Sequence, residues 1–475
     1  VWDVVSWTAL ISAYAQHGYC EEALNCFRQM QCGGFSPDKV TYTCILKVCG
    51  SSMGTIHDGR EIHMHIVREE FPEKDDMIKN ALVDMYMKCS ALVDAQRMFN
   101  MLTTQGVAAW NTMITGYVHH GFPEIALDYF DRMKCNGLPP DSDTFHYVLE
   151  AYNGSCLRTL DKGKERHIEI LHQGYLKKDT LIGNALLDMY SRLHAPLEAQ
   201  EVFDETIVRD TVSWNLLVMS YSHCGFNAYK VLAYFARMKI EGFLPSINTY
   251  ACALNACGNL KASHYGRRIH VQILKECLLE EKDNVAGNSL VDMYGKCGFL
   301  AKAQQVFDAL PCKNVISWTA LITGYAEYQH YEKAILCFLE MQLEGVSPDI
   351  VTLGCCLRAC GSLGSLERGI DIHQVIERKG ILETNLIIGS SLVDMYAKCG
   401  MLDKAQKLFD KLPIHDVDSW NSLMIGYAEN GYGEEALNSF EQMRIEGISP
   451  DAITFSCSLR VCGSLGILGK TCKIH

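Results

Sequence analysis

The amino-acid sequence predicts an all-α chain, an α-solenoid of stacked helix-turn-helix repeats wound as a right-handed superhelix of about 27 helices. Three observations predict it. First, five tryptophans, Trp7, Trp110, Trp214, Trp318 and Trp420, stand 103, 104, 104 and 102 residues apart, and only Trp2 lies outside the series. Each sits in a near-copy of one phrase: VVSWTALISAYA from Val4, AAWNTMITGYV from Ala108, TVSWNLLVMSYS from Thr211, VISWTALITGYA from Val315 and VDSWNSLMIGYA from Val417. A long fixed period marks a repeat architecture. Second, two further phrases keep the same period. LVDMY recurs from Leu82, Leu290 and Leu392, with LLDMY from Leu186, and a histidine phrase recurs at His63, His167, His270, His373 and His475. Third, every unit reads as two short amphipathic helices, and no alternating strand pattern or hairpin turn interrupts them.

The elements follow in order within each period. The Trp type occupies 4–38, 107–141, 211–246, 315–349 and 417–451. The His type occupies 39–75, 142–179, 247–283 and 350–385, with a partial copy at 452–475. The Asp-Met-Tyr type occupies 76–106, 180–210, 284–314 and 386–416. In the first Trp-type unit, Trp7, Leu10, Ile11 and Tyr14 fall three or four apart and line one helical face. Gly18 punctuates. Ala23, Leu24, Phe27 and Met30 then form a second apolar face, and Pro37 stops that helix. A lone helix pair cannot bury both faces, so neighbours must stack into one continuous core with a concave surface.

Composition narrows the function. The chain has 475 residues, of which 48% are hydrophobic and 21% charged. No apolar run approaches the ~18 residues that span a bilayer. A net charge of −13 and a pI near 5.7 argue against promiscuous nucleic-acid binding, which relies on phosphate neutralisation. They leave open recognition of bases in a local groove. The 22 cysteines recur with the repeat, as Cys49, Cys257, Cys360 and Cys462 in one phrase and Cys89, Cys297 and Cys399 in another. That pattern fits small packed side chains in a reducing compartment. The sequence enters and leaves mid-repeat, as a fragment of a longer protein would, so targeting is not legible from it.

The phrase W[NT]xLIxGYxxxGxxxEALxxFxxMxxxGxxPD, seen from Trp318 to Asp349, resembles a pentatricopeptide repeat. Its alternation with GNALxDMYxKCG and ACGxLGxLxxGxxIH phrases resembles the plant PLS subclass, with the Trp type as P, the His type as L and the Asp-Met-Tyr type as S. The resemblance covers the whole chain. It implies single-stranded organellar RNA as partner, one base per repeat, read by the fifth and last residues of each repeat. Carried over, Thr8 with Asp38, Thr319 with Asp349 and Ser390 with Asp416 imply guanine. Asn111 with Asp141, Asn184 with Asp210 and Asn421 with Asp451 imply uracil. Asn215 with Ser246 implies cytosine, and Asn288 with Asn314 a pyrimidine, cytosine favoured. Asn80 is matched by Gly106 and retains only a weak pyrimidine preference. The L repeats, with Thr43 and Asp75, His146 and Asp179, Ala251 and Asp283, and Gly354 and Asn385, fit the code poorly and receive no base. The implied ligand is G-n-Y-U-n-U-C-n-Y-G-n-G-U, 5′ end at the N-terminus. Val5, Met77, Leu181, Val212, Val285, Ile316 and Ile387 take the position that packs on base faces, and Asp418 departs from it.

Plainer roles stand beside these. The five periodic tryptophans read as core anchors, the aspartates of the PD and RD endings as helix caps, and the recurrent histidines as structural. Many PLS proteins end in a cytidine deaminase domain with an HxE…PCxxC pattern. His167-Ile168-Glu169 matches HxE by letter inside an L repeat, but no PCxxC follows. The expectation is therefore no catalytic residue, metal or cofactor in this chain, with other editing-complex proteins as possible partners and the mitochondrion or chloroplast as location. Two functions stay open: the RNA-targeting portion of an organellar C-to-U editing or RNA-processing factor, and a tetratricopeptide-like scaffold for peptides or proteins. The reader positions discriminate, being drawn from Asn, Thr, Ser and Asp in all but one of the complete P and S repeats.

Overall fold

The computed structural model describes residues 3–51, 56–69, 76–154, 160–177, 179–225, 227–276, 284–382 and 385–465. Trp2, Asp75, Cys156, Cys277, Asp283, Cys472 and His475 lie outside them. The described residues hold 27 α-helices, one 3-10 turn at Tyr175–Lys177 and no strand. The helix content agrees with the expectation from the repeating phrases.

The chain packs as two units, one of residues 1–226 with 240–244, the other of residues 227–239 with 245–475. The first unit runs α1 (Val4–Gln16), α2 (Cys20–Cys32), α3 (Lys39–Cys49), α4 (Ile56–Arg68), α5 (Asp76–Lys88), α6 (Leu92–Asn100), α7 (Val107–His119), α8 (Pro123–Cys135), α9 (Ser142–Gly154), α10 (Leu160–Gln173), α11 (Thr180–Arg192), α12 (Pro196–Glu205) and α13 (Thr211–His223). Odd-numbered helices stand side by side as one layer, α1 beside α3, α3 beside α5 and so on to α13. Even-numbered helices are joined to one another by surface ion pairs, such as Arg28–Asp58 at 3.0 Å and Arg60–Asp94 at 2.9 Å.

The second unit repeats the plan. It takes α14 (Ala228–Ile240) up to Lys239, then α15 (Ile247–Asn259), α16 (Ser263–Lys275), α17 (Val285–Lys296), α18 (Leu300–Asp308), α19 (Val315–Glu327), α20 (Tyr331–Leu343), α21 (Ile350–Leu363), α22 (Leu366–Arg378), α23 (Leu386–Lys398), α24 (Leu402–Phe409), α25 (Val417–Glu429), α26 (Gly433–Ile445) and α27 (Ala452–Leu465). Here α15, α17, α19, α21, α23, α25 and α27 form the continuous layer.

The recurring phrases are the two halves of recurring contacts. Four of the five tryptophans meet the phenylalanine of the preceding helix edge-on: Phe99–Trp110 with ring centroids 4.9 Å apart, Phe203–Trp214 at 4.6 Å, Phe307–Trp318 and Phe409–Trp420 at 4.5 Å. These four indoles are 3% exposed or less, as core anchors should be, whereas Trp7 is half-buried. The tyrosine of the same Trp-type helix donates to a glutamine of the helix before it. The pairs are Tyr117–Gln96 at 3.1 Å, Tyr221–Gln200 at 2.6 Å, and Tyr325–Gln304 and Tyr427–Gln406 at 2.9 Å. The histidine phrase and the Asp-Met-Tyr phrase are likewise partners. His63 Nδ1 meets Tyr86 Oη at 2.7 Å, His167 meets Tyr190 at 3.1 Å, His270 meets Tyr294 at 3.0 Å and His373 meets Tyr396 at 2.9 Å. The recurrent histidines are thus seam residues. The two recurrent cysteine phrases also adjoin, Cys89 Sγ lying 3.4 Å from the Cys49 carbonyl oxygen. All nineteen described cysteines are free thiols.

Close approach of α23 and α25 explains the glycine of the GY dipeptide. A Cβ added at Gly426 would lie 2.3 Å from Ala397 Cβ, and one at Gly324 would lie 3.0 Å from the Gly295 backbone. Alanine favours an exposed helix over glycine by ~1 kcal/mol, so the sign reverses here. Gly426→Ala is expected to cost about 1–3 kcal/mol through overpacking. Adding Ala397→Gly to the same chain should return part of that loss. Denaturant titration of the three proteins checks both statements.

Burial pushes the imidazoles of His63, His167, His270 and His373 below their ordinary value, although Asp94, Glu205 and Glu377 oppose the shift at the first, second and fourth. The unfolded chain protonates these groups below about pH 6.5, while the folded chain resists. Their contribution is therefore complete above that value and is lost as pH falls through the depressed native values. Each accounts for at most about 1.4 kcal/mol per pH unit. The stability difference between the wild type and His270→Gln should shrink on going from pH 7.5 to pH 5; a constant difference would remove His270 from this role.

Candidate nucleic-acid interface

Side-by-side packing of the odd-numbered helices brings the sequence-predicted reader positions together. Asn111 lies one turn into α7, and Asp141 precedes the neighbouring α9. Asp141 Oδ1 accepts from the Thr144 amide at 2.8 Å and so caps α9, since the first amides of a helix lack intrahelical partners. The same oxygen accepts from Asn111 Nδ2 at 3.0 Å. A third side chain closes the set: the Thr144 hydroxyl donates to Asn111 Oδ1 at 2.6 Å and lies 2.7 Å from Asp141 Oδ1.

The arrangement recurs. Asp210 caps α13 through the Ser213 amide at 2.8 Å and accepts from Asn184 Nδ2 at 3.2 Å, and Ser213 Oγ donates to Asn184 Oδ1 at 2.6 Å. Asp451 caps α27 through the Thr454 amide at 2.8 Å and accepts from Asn421 at 3.1 Å, with Thr454 donating to Asn421 at 2.7 Å. With threonine readers, the hydroxyls of Thr8 and Thr41 lie 2.6 Å apart and those of Thr319 and Thr352 lie 2.7 Å apart. Thr41 and Thr352 in turn each donate to the cap aspartate, Asp38 or Asp349, at 2.8 Å.

Three other predicted pairs, Asn80 with Gly106, Asn288 with Asn314 and Ser390 with Asp416, show no hydrogen bond between the two positions among the described residues. Asn314 caps α19 and Asp416 caps α25, but neither bonds its reader. Asn288 is 6% exposed and its Oδ1 has no partner among the described residues. The Ser390 hydroxyl turns back to the Leu386 carbonyl at 2.8 Å. Ser246 caps α15. Gly106 stands at the α7 N-cap with no side chain to offer, and Asn80 Oδ1 is likewise unpartnered. Of the His-type positions, Asp179 caps α11 and is bonded by Ser142, and Asn385 caps α23.

Electrostatics follow from these bonds. For Asp141, burial raises the carboxyl pKa, but the Thr144 amide and hydroxyl and the Asn111 amide outweigh burial and hold it below the ordinary value. Asp210 behaves in the same way through Ser213 and Asn184. At Asp451 the Thr454 amide is the largest influence, and the result is again a lowered value. These carboxylates are therefore ionised at neutral pH and act as acceptors only.

Around the readers the surface is aliphatic and cationic in alternation. Val5 is 73% exposed, Leu181 65%, Ile316 64% and Ile387 69%, too open for core residues. Met77 and Val212 are also exposed, and Val285 is half-buried. A cleft of about 510 Å³ in the first unit is lined by Lys88, Asn111, Thr112, Thr115, Asp141 and Tyr147. Lys88 is paired with Asp84 at 2.7 Å, and the pattern repeats at Arg192–Asp188, Lys296–Asp292 and Lys398–Asp394 at 3.0, 2.8 and 2.7 Å. Each is an i,i+4 pair on one helix with a half-buried aspartate.

Sequence reasoning missed the third side chain of each set. Its signal was present, as Asp-x-x-Thr or Asp-x-x-Ser in DKVT, DSDT, DTVS, DIVT and DAIT from Asp38, Asp141, Asp210, Asp349 and Asp451. The HxE letters at His167 and Glu169 are both engaged elsewhere, His167 with Tyr190 and Glu169 with Lys134 and Arg166 at 2.7 Å each. Among the described residues, one group of potential metal ligands converges, His57, Asp58 and Glu61, and its Asp58 is already paired with Arg28 at 3.0 Å.

Comparison with known proteins places this geometry. The PPR repeat family model matches residues 3–51, 105–153, 313–362 and 415–464, and the PPR repeat model matches 288–315 and 390–416. A chloroplastic pentatricopeptide repeat-containing protein of Arabidopsis thaliana is 31% identical over 465 residues, covering 98% of this chain and 74% of the relative. A mitochondrial one from the same plant is 34% identical over 474 residues, covering 100% of this chain and 45% of the relative. Several relatives are about twice as long as this chain, which spans 52–54% of their length. The crystal structure of maize PPR10 superposes with a TM-score of 0.55 at 18% identity, covering 100% of this chain and 73% of that one. The same maize protein in complex with an 18-nt psaJ RNA element superposes at 0.53 with 19% identity, covering 100% and 79%. The tryptophan, histidine and Asp-Met-Tyr seams are therefore those of a pentatricopeptide repeat array, and this chain belongs to the pentatricopeptide repeat family.

Proposed function

We propose that this chain binds single-stranded RNA in a sequence-specific manner, one base per repeat, with no base assigned to the L repeats. In this reading it is the targeting portion of an organellar C-to-U editing or RNA-processing factor of the PLS subclass. The observation that carries the proposal is the recurrent hydrogen bond between a polar fifth residue and a cap aspartate, at Asn111, Asn184, Thr319 and Asn421, beside exposed aliphatic side chains that suit base faces. The maize PPR10 complex holds an RNA element on a related solenoid, which supports the partner. Relatives named mitochondrial and chloroplastic support an organelle. No catalytic residue, metal or cofactor is assigned to residues 1–475.

The chemistry of the pairs fits the bases proposed for them. A carboxylate accepts only, which favours guanine's imino and amino donors when the companion is a small hydroxyl residue. An asparagine adds a donor and suits a base edge rich in carbonyls. Lys88, Arg192, Lys296 and Lys398, one in each S repeat, are placed to meet phosphates. That would supply an electrostatic component despite the net charge of −13.

The test is a base swap at one repeat. Opposite Thr319 and Asp349 the wild type should prefer guanine. Asp349→Asn should move the preference toward adenine, because an amide donates as well as accepts, by on the order of 1–3 kcal/mol in discrimination. Asparagine also caps helices well, so folding should be intact by circular dichroism. Unchanged base preference at that position would leave Asp349 as a cap only. Absence of RNA binding at moderate salt would favour the protein-binding scaffold.

A further inference from the structure

Asp141, Asp210, Asp349 and Asp451 are each bonded by two side chains, the predicted reader and one other, and at Asp38 that other side chain links reader to cap. This other side chain is a hydroxyl three residues after the aspartate in all five cases. Thr41, Thr144, Ser213, Thr352 and Thr454 are all fully buried, so none can touch a base. A buried hydroxyl is costly unless its hydrogen bonds are made, and here they are made to the reader and to the cap.

We propose that these five buried hydroxyls are specificity-positioning residues, which fix the orientation of the reader side chain and thereby decide whether it shows a donor or an acceptor to the base. The inference rests on the RNA-reading function proposed above.

The hydrogen bonds define the two outcomes. Beside an asparagine reader, Thr144, Ser213 and Thr454 donate to the amide oxygen at 2.6, 2.6 and 2.7 Å. The aspartate takes one N–H of the same amide at 3.0, 3.2 and 3.1 Å. Flipping the amide would set its oxygen against the carboxylate, so the orientation is held at both ends. What remains for a base is the second N–H, a donor.

Beside a threonine reader the same relay gives the opposite result. Thr41 and Thr352 donate their single proton to Asp38 or Asp349. Each can then only accept from the reader hydroxyl 2.6 or 2.7 Å away. Thr8 has a second inward acceptor in the Val4 carbonyl at 2.8 Å. In both cases the reader's proton points inward and its lone pairs face outward, as acceptors. Donor-presenting asparagine suits the carbonyl oxygens of uracil, and acceptor-presenting threonine suits the N–H groups of guanine.

Two junctions in the same chain lack the relay. Ser317 and Ser419 turn their hydroxyls to the carbonyls of their own caps, Asn314 and Asp416, at 2.8 Å. The readers there, Asn288 and Ser390, are not held by them. The chain thus contains its own controls.

The experiment measures binding of a fluorescent thirteen-base RNA, G-n-Y-U-n-U-C-n-Y-G-n-G-U, with each base in turn at the fourth position, opposite Asn111. The wild type should prefer uracil there. Thr144→Val, which keeps the shape and removes the hydroxyl, should lower that preference by about tenfold, within the range of one side-chain–base contact. Thr144→Ser should retain it. Ser419→Ala should leave the preference at the twelfth position, opposite Ser390, as it was. If circular dichroism shows Thr144→Val to be unfolded, Ser213→Ala with bases varied at the sixth position carries the same expectation. Wild-type preference in Thr144→Val, or a shift caused by Ser419→Ala, would overturn the inference. No base preference in the wild type at the fourth position would instead overturn the RNA-reading function beneath it.

Discussion

A pair of helices some thirty residues long has more apolar surface than it can cover by itself, and everything else in this chain follows from that constraint. Each helix pair has to be covered by the next, so the residues that matter most to stability are those at seams. The seams are of different kinds because the repeats are of different kinds. An Asp-Met-Tyr unit offers a phenylalanine and a glutamine, and the following Trp-type unit meets them with tryptophan and tyrosine. A His-type unit offers histidine, and the following unit meets it with tyrosine. Each phrase is conspicuous at a spacing of about 103 residues because its partner phrase keeps the same spacing.

Stacking also creates the proposed binding surface. Helices standing side by side begin along one edge, and the first amides of each helix lack partners within it. A side-chain acceptor at that place satisfies the backbone, and at Asp38, Asp141, Asp210, Asp349 and Asp451 it is a carboxylate. Once there, it lies within hydrogen-bond reach of the neighbouring helix, one turn in. One oxygen thus serves both the cap and the neighbouring helix: Asp141 Oδ1 holds the Thr144 amide and also accepts from Asn111. The cap fixes where the carboxylate is, and the buried hydroxyl limits how its neighbour turns. In the proposed reading, an acidic chain presents such a surface to an anionic polymer through Lys88 and its three equivalents, each held by a single i,i+4 aspartate.

How much of this was legible before the structure depended on what each feature needs. The period, the helix pairs and the core role of the tryptophans need only apolar spacing, and they could be read from Trp7 to Trp420. The partnership of His63 with Tyr86, or of Tyr117 with Gln96, was not legible. Both residues were seen to recur, but periodicity alone does not say which recurring residues touch across a seam. The readers could be named from the resemblance, and so could the capping alternative. The relay through Thr144 could not, because a threonine on the buried side of a helix start looks like ordinary core. It also could not be foreseen that Ser317 and Ser419, at the same register, would turn their hydroxyls to backbone carbonyls. That choice is a rotamer preference set by three-dimensional packing.

The central claim is that reader and cap pairs along one chain select an RNA sequence. Selection from a pool of random single-stranded RNA, followed by sequencing of the bound fraction, tests it most directly. The account predicts enrichment of one ungapped register in which guanine stands opposite Thr8 and Thr319, and uracil opposite Asn111, Asn184 and Asn421, with little preference opposite the His-type repeats. A bound pool with no sequence enrichment, or one whose enriched bases cannot be laid along the repeats in order, would contradict it.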